Sequence, residues 1–190
     1  MLSRHLFRII ALNAVIIFFP ALTAAATTGQ ADAHMHGRAI MNIAIEGTQV
    51  LIELEIPGMD MVGFEHQART AGQKKAVKAA TAKLSKAELI FTLPEMAACK
   101  LVRSEVTSGG DRDDHQGDTK HDTHDEAHDQ DHMAFHAGYN LTCASPEALS
   151  SIRLNLFANI TTLKEIIILA VTPKGQIRAR ADRQNPLIRF

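Results

Sequence analysis

The sequence predicts an α+β domain in which helices pack on one side of a mostly antiparallel sheet and a His/Asp-rich hairpin loop is disordered. Residues 38–46 and 50–56 alternate apolar and polar side chains, which is the period of a half-buried strand. Residues 70–84 instead repeat apolar side chains at helical spacing. Further apolar stretches separated by turn residues follow, and together these patterns are typical of an α+β fold.

The first 26 residues have the layout of a secretory signal peptide. Arg4 and Arg8 precede an apolar run, Pro20 ends that run, and Ala24 and Ala26 satisfy the small-residue rule for cleavage. The alternative is a membrane anchor, but the run is shorter than the ~20 apolar residues that span a bilayer. We therefore expect an exported protein with no stable membrane insertion after cleavage.

The domain begins with a predicted hairpin. The apolar positions of its two strands share one face: Ala39, Met41, Ile43 and Ile45, then Val50, Ile52, Leu54 and Ile56. Gly47-Thr48-Gln49 forms the tight turn between them. Pro57-Gly58 ends the second strand, and residues 59–66 are expected to be a connector.

A helix follows, with Thr70 and Gln73 forming a capping box at its start. Apolar side chains lie at helical spacing along it: Val77, Ala80 and Leu84. Lysines surround that stripe, and they form either a solvated face or a docking surface for an acidic partner: Lys74, Lys75, Lys78 and Lys83. A second short helix is predicted near residues 85–91.

Residues 98–107 and 133–143 are predicted strands, and each contains one of the two cysteines. In an oxidising compartment two cysteines favour a disulfide; the alternative is a pair of buried free thiols. If Cys99 lies opposite Cys143 in an antiparallel hairpin, the bridge closes the base of that hairpin. Its tip is then a polar loop over residues 108–132.

The last third of the chain is predicted to be a helical turn over residues 146–149, begun by Ser145, followed by strands. The strands cover residues 152–156, 163–171 and 176–181, and the second of them is the most apolar and is expected to be central. A short segment, residues 187–190, ends the chain. We interpret residues 34–190 as a single domain that carries residues 108–132 as an insert.

The insert contains closely spaced histidines among aspartates: His115, His121, His124, His128 and His132. Neutral imidazole is a good ligand for zinc, copper, nickel and cobalt, and carboxylates can complete the shell. The segment has almost no aliphatic side chains, so we expect it to be disordered until it binds a ligand. Metal binding is the favoured interpretation, and a solubilising spacer is the alternative.

Four histidines outside the insert are further candidate ligands. His34 and His36 would present both rings on one side of an extended chain, although the segment could also be a solvated tail. His66 lies in the connector, where it could instead be a packing residue, and His136 lies opposite the apolar face of its strand. We predict a site that joins His34 and His36 with His66 or His136.

Composition and motifs argue against other classes of function. The net charge of −1 gives no electrostatic support for nucleic-acid binding. The segment from His124 to His128 is similar to the zincin motif H-E-x-x-H, but its glutamate is one position late. We therefore expect no enzyme, and a metallohydrolase stays a minor alternative.

The chain resembles the ZrgA-type zinc uptake accessory proteins. The resemblance rests on AHMHG at 33–37, IELEIPGMDMVGFEH at 52–66, the insert, AFHAGYNLTC at 134–143 and LKEIIILAVTPKGQ at 163–176. It implies a periplasmic protein that binds Zn²⁺ and assists an ABC importer and its solute-binding protein. A periplasmic buffer or sensor for nickel, cobalt or copper is the alternative, because ligand type alone does not select zinc.

Overall fold

The computed structural model describes residues 35–109 and 132–190. The predicted signal peptide and residues 110–131 of the insert lie outside the described residues. The strands are β1 (Arg38–Glu46), β2 (Gln49–Pro57), β3 (Phe91–Thr92), β4 (Cys99–Gly109), β5 (Ala134–Cys143), β6 (Ser151–Leu154), β7 (Glu165–Thr172), β8 (Gly175–Asp182) and β9 (Leu187–Arg189). The α-helices are α1 (Gly58–Val62), α2 (Ala71–Leu84) and α3 (Leu156–Asn159).

The strands form two sheets. The larger has six strands in the order β4-β5-β2-β1-β7-β8, and the smaller has three in the order β3-β6-β9. Among the described strands of the larger sheet, only β1 and β7 pair in parallel; the other neighbouring strands pair antiparallel. The predicted α+β class with a mostly antiparallel sheet is confirmed, whereas the division into two sheets was not predicted.

The first hairpin has the predicted inward face, but Gln49 belongs to β2 and pairs with Glu46, so the turn is one residue shorter than predicted. Ile45 pairs with Val50 and Met41 pairs with Leu54 across β1 and β2. The apolar positions of both strands are buried, as their alternation required. Gly47 adopts a φ of 53° in the turn, a conformation that glycine reaches without a steric penalty.

The predicted connector after β2 contains a short helix, because residues 58–62 form α1. Gly63 ends this helix in the left-handed conformation with a φ of 80°. The capping box of α2 is confirmed, since the Thr70 side chain accepts the Gln73 backbone N–H and the Gln73 side chain accepts the Thr70 N–H. The predicted second short helix is a single 3₁₀ turn over residues 87–89.

The hairpin of β4 and β5 is closed by a disulfide between Cys99 and Cys143, as predicted. The two cysteines pair directly, and Leu101 pairs with Leu141 in the same register. An irregularity between Leu101 and Arg103 then shifts the remaining pairs by one residue, so that Thr107 lies opposite His136. The insert leaves β4 and returns to β5 at the end of the hairpin away from the disulfide.

The C-terminal region differs from the prediction in three details. Residues 146–148 form a 3₁₀ turn in which Ser145 makes no side-chain cap. The strand predicted to reach Leu156 ends at Leu154, and Leu156 begins α3. β7 lies inside the larger sheet between β1 and β8, but the two middle strands are β2 and β1.

The core lies on one face of the larger sheet. Tyr139 of β5 is buried there, and its hydroxyl donates a 2.6 Å hydrogen bond to the carbonyl of Leu84 at the end of α2. Burial raises the pKa of Tyr139. The opposite face remains exposed at Leu169 and Val171. The high apolar content of β7 therefore does not reflect burial on both sides of that strand.

In residues 35–109 and 132–190, none of the helices has the length and hydropathy of a membrane span. These residues belong to one compact unit that spans Asp32–Phe190.

Candidate metal centre

Two histidines and a glutamate meet beside the start of β1. Nε2 of His36 contacts Oε1 of Glu65, and Nδ1 of His132 lies 3.1 Å from Oε2 of the same carboxylate. The three residues come from the N-terminal turn, the segment after α1 and the C-terminal end of the insert. One carboxylate thus joins three segments that are far apart in the sequence.

His36 is held by a tight turn that is fixed at several points. The Arg38 N–H donates to the Met35 carbonyl at 3.0 Å, and Gly37 adopts a φ of 84° within this turn. The Gly37 N–H donates to Oδ2 of the buried Asp60 at 2.7 Å. The Gly37 carbonyl accepts N–H groups from Lys164 and Glu165 at 2.8 and 3.0 Å. Both the N–H and the carbonyl of Gly37 are therefore hydrogen-bonded, and this constrains the backbone of the preceding residue, His36.

Backbone hydrogen bonds also place Glu65 and His132. The Met133 N–H donates to the Glu65 carbonyl at 2.7 Å, and the Gly58 N–H donates to the Met133 carbonyl at 2.6 Å. These bonds hold the segment after β2 against the residue that follows His132. The end of the insert is therefore fixed beside Glu65 before β5 begins.

The contacts with Glu65 determine the chemistry of both imidazoles. A neutral ring that donates one N–H to a carboxylate carries its lone pair on the other nitrogen. With the contacting nitrogen protonated in each ring, the lone pair would lie on Nδ1 of His36 and on Nε2 of His132. Carboxylates orient metal-binding histidines in this way and make them more basic ligands.

The group is accessible from solvent. The exposed fraction is 56% for the His36 side chain, 38% for His132 and 18% for Glu65. The Glu65 carboxylate is therefore the least exposed of the three side chains, and the two imidazole rings are more accessible to an ion in solution. Such exposure is better suited to reversible binding of a cation than to permanent binding in an enclosed site.

The other predicted ligands are distributed differently. His66 stacks on Phe64 with ring centroids 5.1 Å apart, and its Nδ1 lies 2.9 Å from the Gln67 carbonyl. His136 pairs with Glu55 across β2 and β5, on the face of the sheet opposite the core. The remaining candidates lie outside the described residues: His34, His115, His121, His124 and His128.

Nothing in the sequence pattern marks Glu65 as a candidate ligand, although it lies in the segment 52–66 on which the family resemblance rests. A glutamate beside a histidine is common on protein surfaces, and only the folded chain brings residues 36 and 132 to it. Within the parts of the chain that the structure describes, no group of three or more His, Cys, Asp or Glu side chains is arranged to hold a metal ion. In the group formed by His36, Glu65 and His132, the Glu65 carboxylate contacts one ring with each of its oxygens and so lies between the two rings.

Replacing Gly58 by alanine is expected to lower the free energy of unfolding by about 1–3 kcal/mol. The added Cβ would lie 2.5 Å from the Met133 carbonyl oxygen and 2.7 Å from that of Phe64, and backbone atoms cannot move aside cheaply. Urea denaturation measures the change. Gly72→Ala is the matched control, because its Cβ would meet no atom closer than 3.9 Å. Equal stability of the two variants would contradict the close packing at Gly58.

Comparison with known proteins gives the family of the chain. Residues 33–190 match the family model described as ZrgA family zinc uptake protein. A search of curated proteins found no significant match. The matched region includes His36, Glu65 and His132 as well as both cysteines and the nine strands found in residues 35–109 and 132–190. The chain therefore belongs to the ZrgA family of zinc uptake proteins.

Proposed function

We propose that the protein is a non-catalytic periplasmic zinc-binding protein that captures Zn²⁺ and assists its delivery to a high-affinity importer. The observation that carries this proposal is the carboxylate of Glu65 holding the rings of His36 and His132 at a solvent-accessible position. Membership of a zinc uptake family supports zinc as the cation. Two imidazoles oriented by one carboxylate are a chemically suitable start for a zinc site.

The proposed capture uses two sets of histidines. The insert histidines collect zinc, and the group at Glu65 holds one ion more firmly, with His34 completing it from two positions before His36. A segment that orders on binding loses conformational entropy, so we expect the insert to bind zinc more weakly than the group at Glu65. Weakly bound zinc can be transferred to a partner. His132 belongs to the insert and also contacts Glu65, so it connects the two sets.

The proposed location is the periplasm, and the proposed partner is the solute-binding protein of a zinc ABC transporter. The N-terminal segment has the pattern of a signal peptide, and the disulfide between Cys99 and Cys143 suits an oxidising compartment. An accessory protein that binds zinc with exchangeable ligands can release it to a tighter partner. The proposed location and partner do not depend on which histidines bind the same zinc ion.

The arrangement at Glu65 favours binding over catalysis. A hydrolytic zinc site uses a carboxylate to activate a metal-bound water. Here both oxygens of the Glu65 carboxylate contact histidine rings, which gives that carboxylate an orienting role. We therefore propose no enzymatic activity for this site.

Zinc titration of the purified protein beside a variant lacking residues 111–131 tests the division into two sets. The deletion keeps His132, so the group at Glu65 stays complete. We expect the variant to bind fewer zinc ions while retaining its tightest site. Equal stoichiometry in both proteins would show that the insert takes no part. Loss of all binding in the variant would show that the group at Glu65 holds no ion by itself.

A further inference from the structure

The segment that begins at Gly58 and ends at Glu65 contacts the chain on both sides of the proposed zinc site. It contacts Met133 twice, because the Gly58 N–H donates to the Met133 carbonyl and the Glu65 carbonyl accepts the Met133 N–H. It also contacts the region of His36 twice. Glu65 contacts the His36 ring, and the side chain of Asp60 contacts the peptide group that follows His36. The ring and the backbone of this histidine are therefore held by one segment.

Asp60 is a buried acidic residue with a backbone contact. Its side chain accepts the Gly37 N–H at 2.7 Å, and its own carbonyl accepts the Thr162 hydroxyl at 2.8 Å. The residue is only 7% exposed, and it forms no ion pair with another described residue. A hydrogen bond to a carboxylate is charge-assisted and roughly twice as strong as a neutral one. This bond is therefore well suited to fix the orientation of one peptide group.

The peptide group that Asp60 holds joins His36 to Gly37. The Gly37 carbonyl is anchored by main-chain N–H groups of Lys164 and Glu165, whereas its N–H is held by a side chain. Glycine adopts many backbone conformations at little cost, so without Asp60 this peptide group could rotate. Its orientation sets the backbone angle ψ of His36, and that angle sets the direction in which the imidazole ring leaves the chain.

We propose that Asp60 is a positioning residue of the zinc site, which acts through the peptide group between His36 and Gly37 to keep the His36 ring beside Glu65. The His36 side chain is 56% exposed, so packing contributes little to fixing its ring. A ligand that is already held in its binding geometry loses less entropy when the ion binds, and the affinity rises accordingly. This inference rests on the proposed function.

Competition for zinc between the purified protein and a chromophoric chelator tests the proposal. Zinc is kept below one ion per protein, so that the tightest site is measured. We expect Asp60→Ala to weaken this site by about tenfold, because the Gly37 N–H loses its acceptor. Asp60→Asn should keep the affinity within about threefold of the original, because its amide oxygen can accept the same N–H in a weaker, neutral hydrogen bond.

A double-mutant cycle separates positioning from a general effect on stability. In a protein that already carries His36→Ala, adding Asp60→Ala should weaken zinc binding by less than about twofold, because the ring that Asp60 positions is gone. A residue that only stabilises the fold would have the same effect in both backgrounds. Tyr139→Phe is the matched control. It removes a buried hydrogen bond to the Leu84 carbonyl and should leave zinc affinity unchanged.

Proton–nitrogen correlation spectra of the histidine side chains give a second measurement, in the metal-free protein. Asp60→Ala should shift the His36 ring signals, because the ring no longer lies in the same position beside Glu65. Asp60→Asn should leave them close to those of the unaltered protein. Circular dichroism checks that each variant is folded. If Asp60→Ala is incompletely folded, sucrose is added to all samples, since it favours the folded state.

Three results would overturn the role of Asp60 while leaving the proposed function intact. Asp60→Ala could bind zinc as tightly as the unaltered protein, or it could weaken binding equally in the His36→Ala background. Asp60→Asn could also lose as much affinity as Asp60→Ala, which would exclude hydrogen bonding to Gly37 as the cause. If the unaltered protein bound no zinc, the proposed function would fail. Unchanged His36 ring signals in Asp60→Ala would then still refute the positioning role.

Discussion

Replacing Cys99 and Cys143 together by alanine is expected to lower the free energy of unfolding by about 4 kcal/mol. The bridge joins residues separated by 44 positions, and in the chain-entropy model closing such a loop restricts the unfolded chain substantially. Because most domains have a total stability of only about 5–15 kcal/mol, this is the largest single effect on the fold that we expect. Urea denaturation of the oxidised protein and the variant measures it.

Reduction of the unaltered protein is the control for the alanine side chains, and it should give a similar loss. A change below about 1 kcal/mol in both experiments would contradict the prediction. The disulfide lies at the end of β5 away from His132. The folded variant should therefore bind zinc at the Glu65 group as tightly as the oxidised protein does.

Replacing His36 and His132 together by alanine is expected to weaken the tightest zinc site by at least about tenfold to 100-fold. This change removes both imidazoles that Glu65 orients while leaving the carboxylate and the backbone in place. The measurement is competition for zinc with a chromophoric chelator, in the protein that lacks residues 111–131. Glu65→Gln should have a smaller effect in the same direction, because an amide can still contact the rings but carries no charge.

His136→Ala distinguishes a site centred on Glu65 from the site containing His136 that was predicted from the sequence. His136 lies on the face of the larger sheet opposite the core, whereas His36 lies beside Glu65. We expect His136→Ala to leave the tightest site unchanged. Weaker binding in that variant, with full affinity in the His36 and His132 double variant, would contradict a site centred on Glu65.

Local patterns were sufficient to predict the first hairpin and the position of the disulfide. The alternation in residues 38–46 identifies a buried face because side chains of a strand alternate between its two sides. The pairing of Cys99 with Cys143 follows from two strands of similar length and a polar segment between them. The capping box at Thr70 and Gln73 is a signal contained within four residues.

The features that local patterns missed depend on contacts between distant residues. The apolar run of β7 indicates a strand but carries no information about its parallel pairing with β1. α1 is only five residues long and gives no helical periodicity in the sequence. Glu65 becomes a candidate only when Asp60 fixes the turn at Gly37 and Met133 fixes the end of the insert.

Calorimetric titration of the purified protein with Zn²⁺ at neutral pH tests whether the histidine side chains of this chain capture zinc. We expect saturable binding that weakens as the pH is lowered, because protonated imidazoles lose the lone pairs that bind the metal. The absence of any saturable binding at micromolar protein concentration would contradict it.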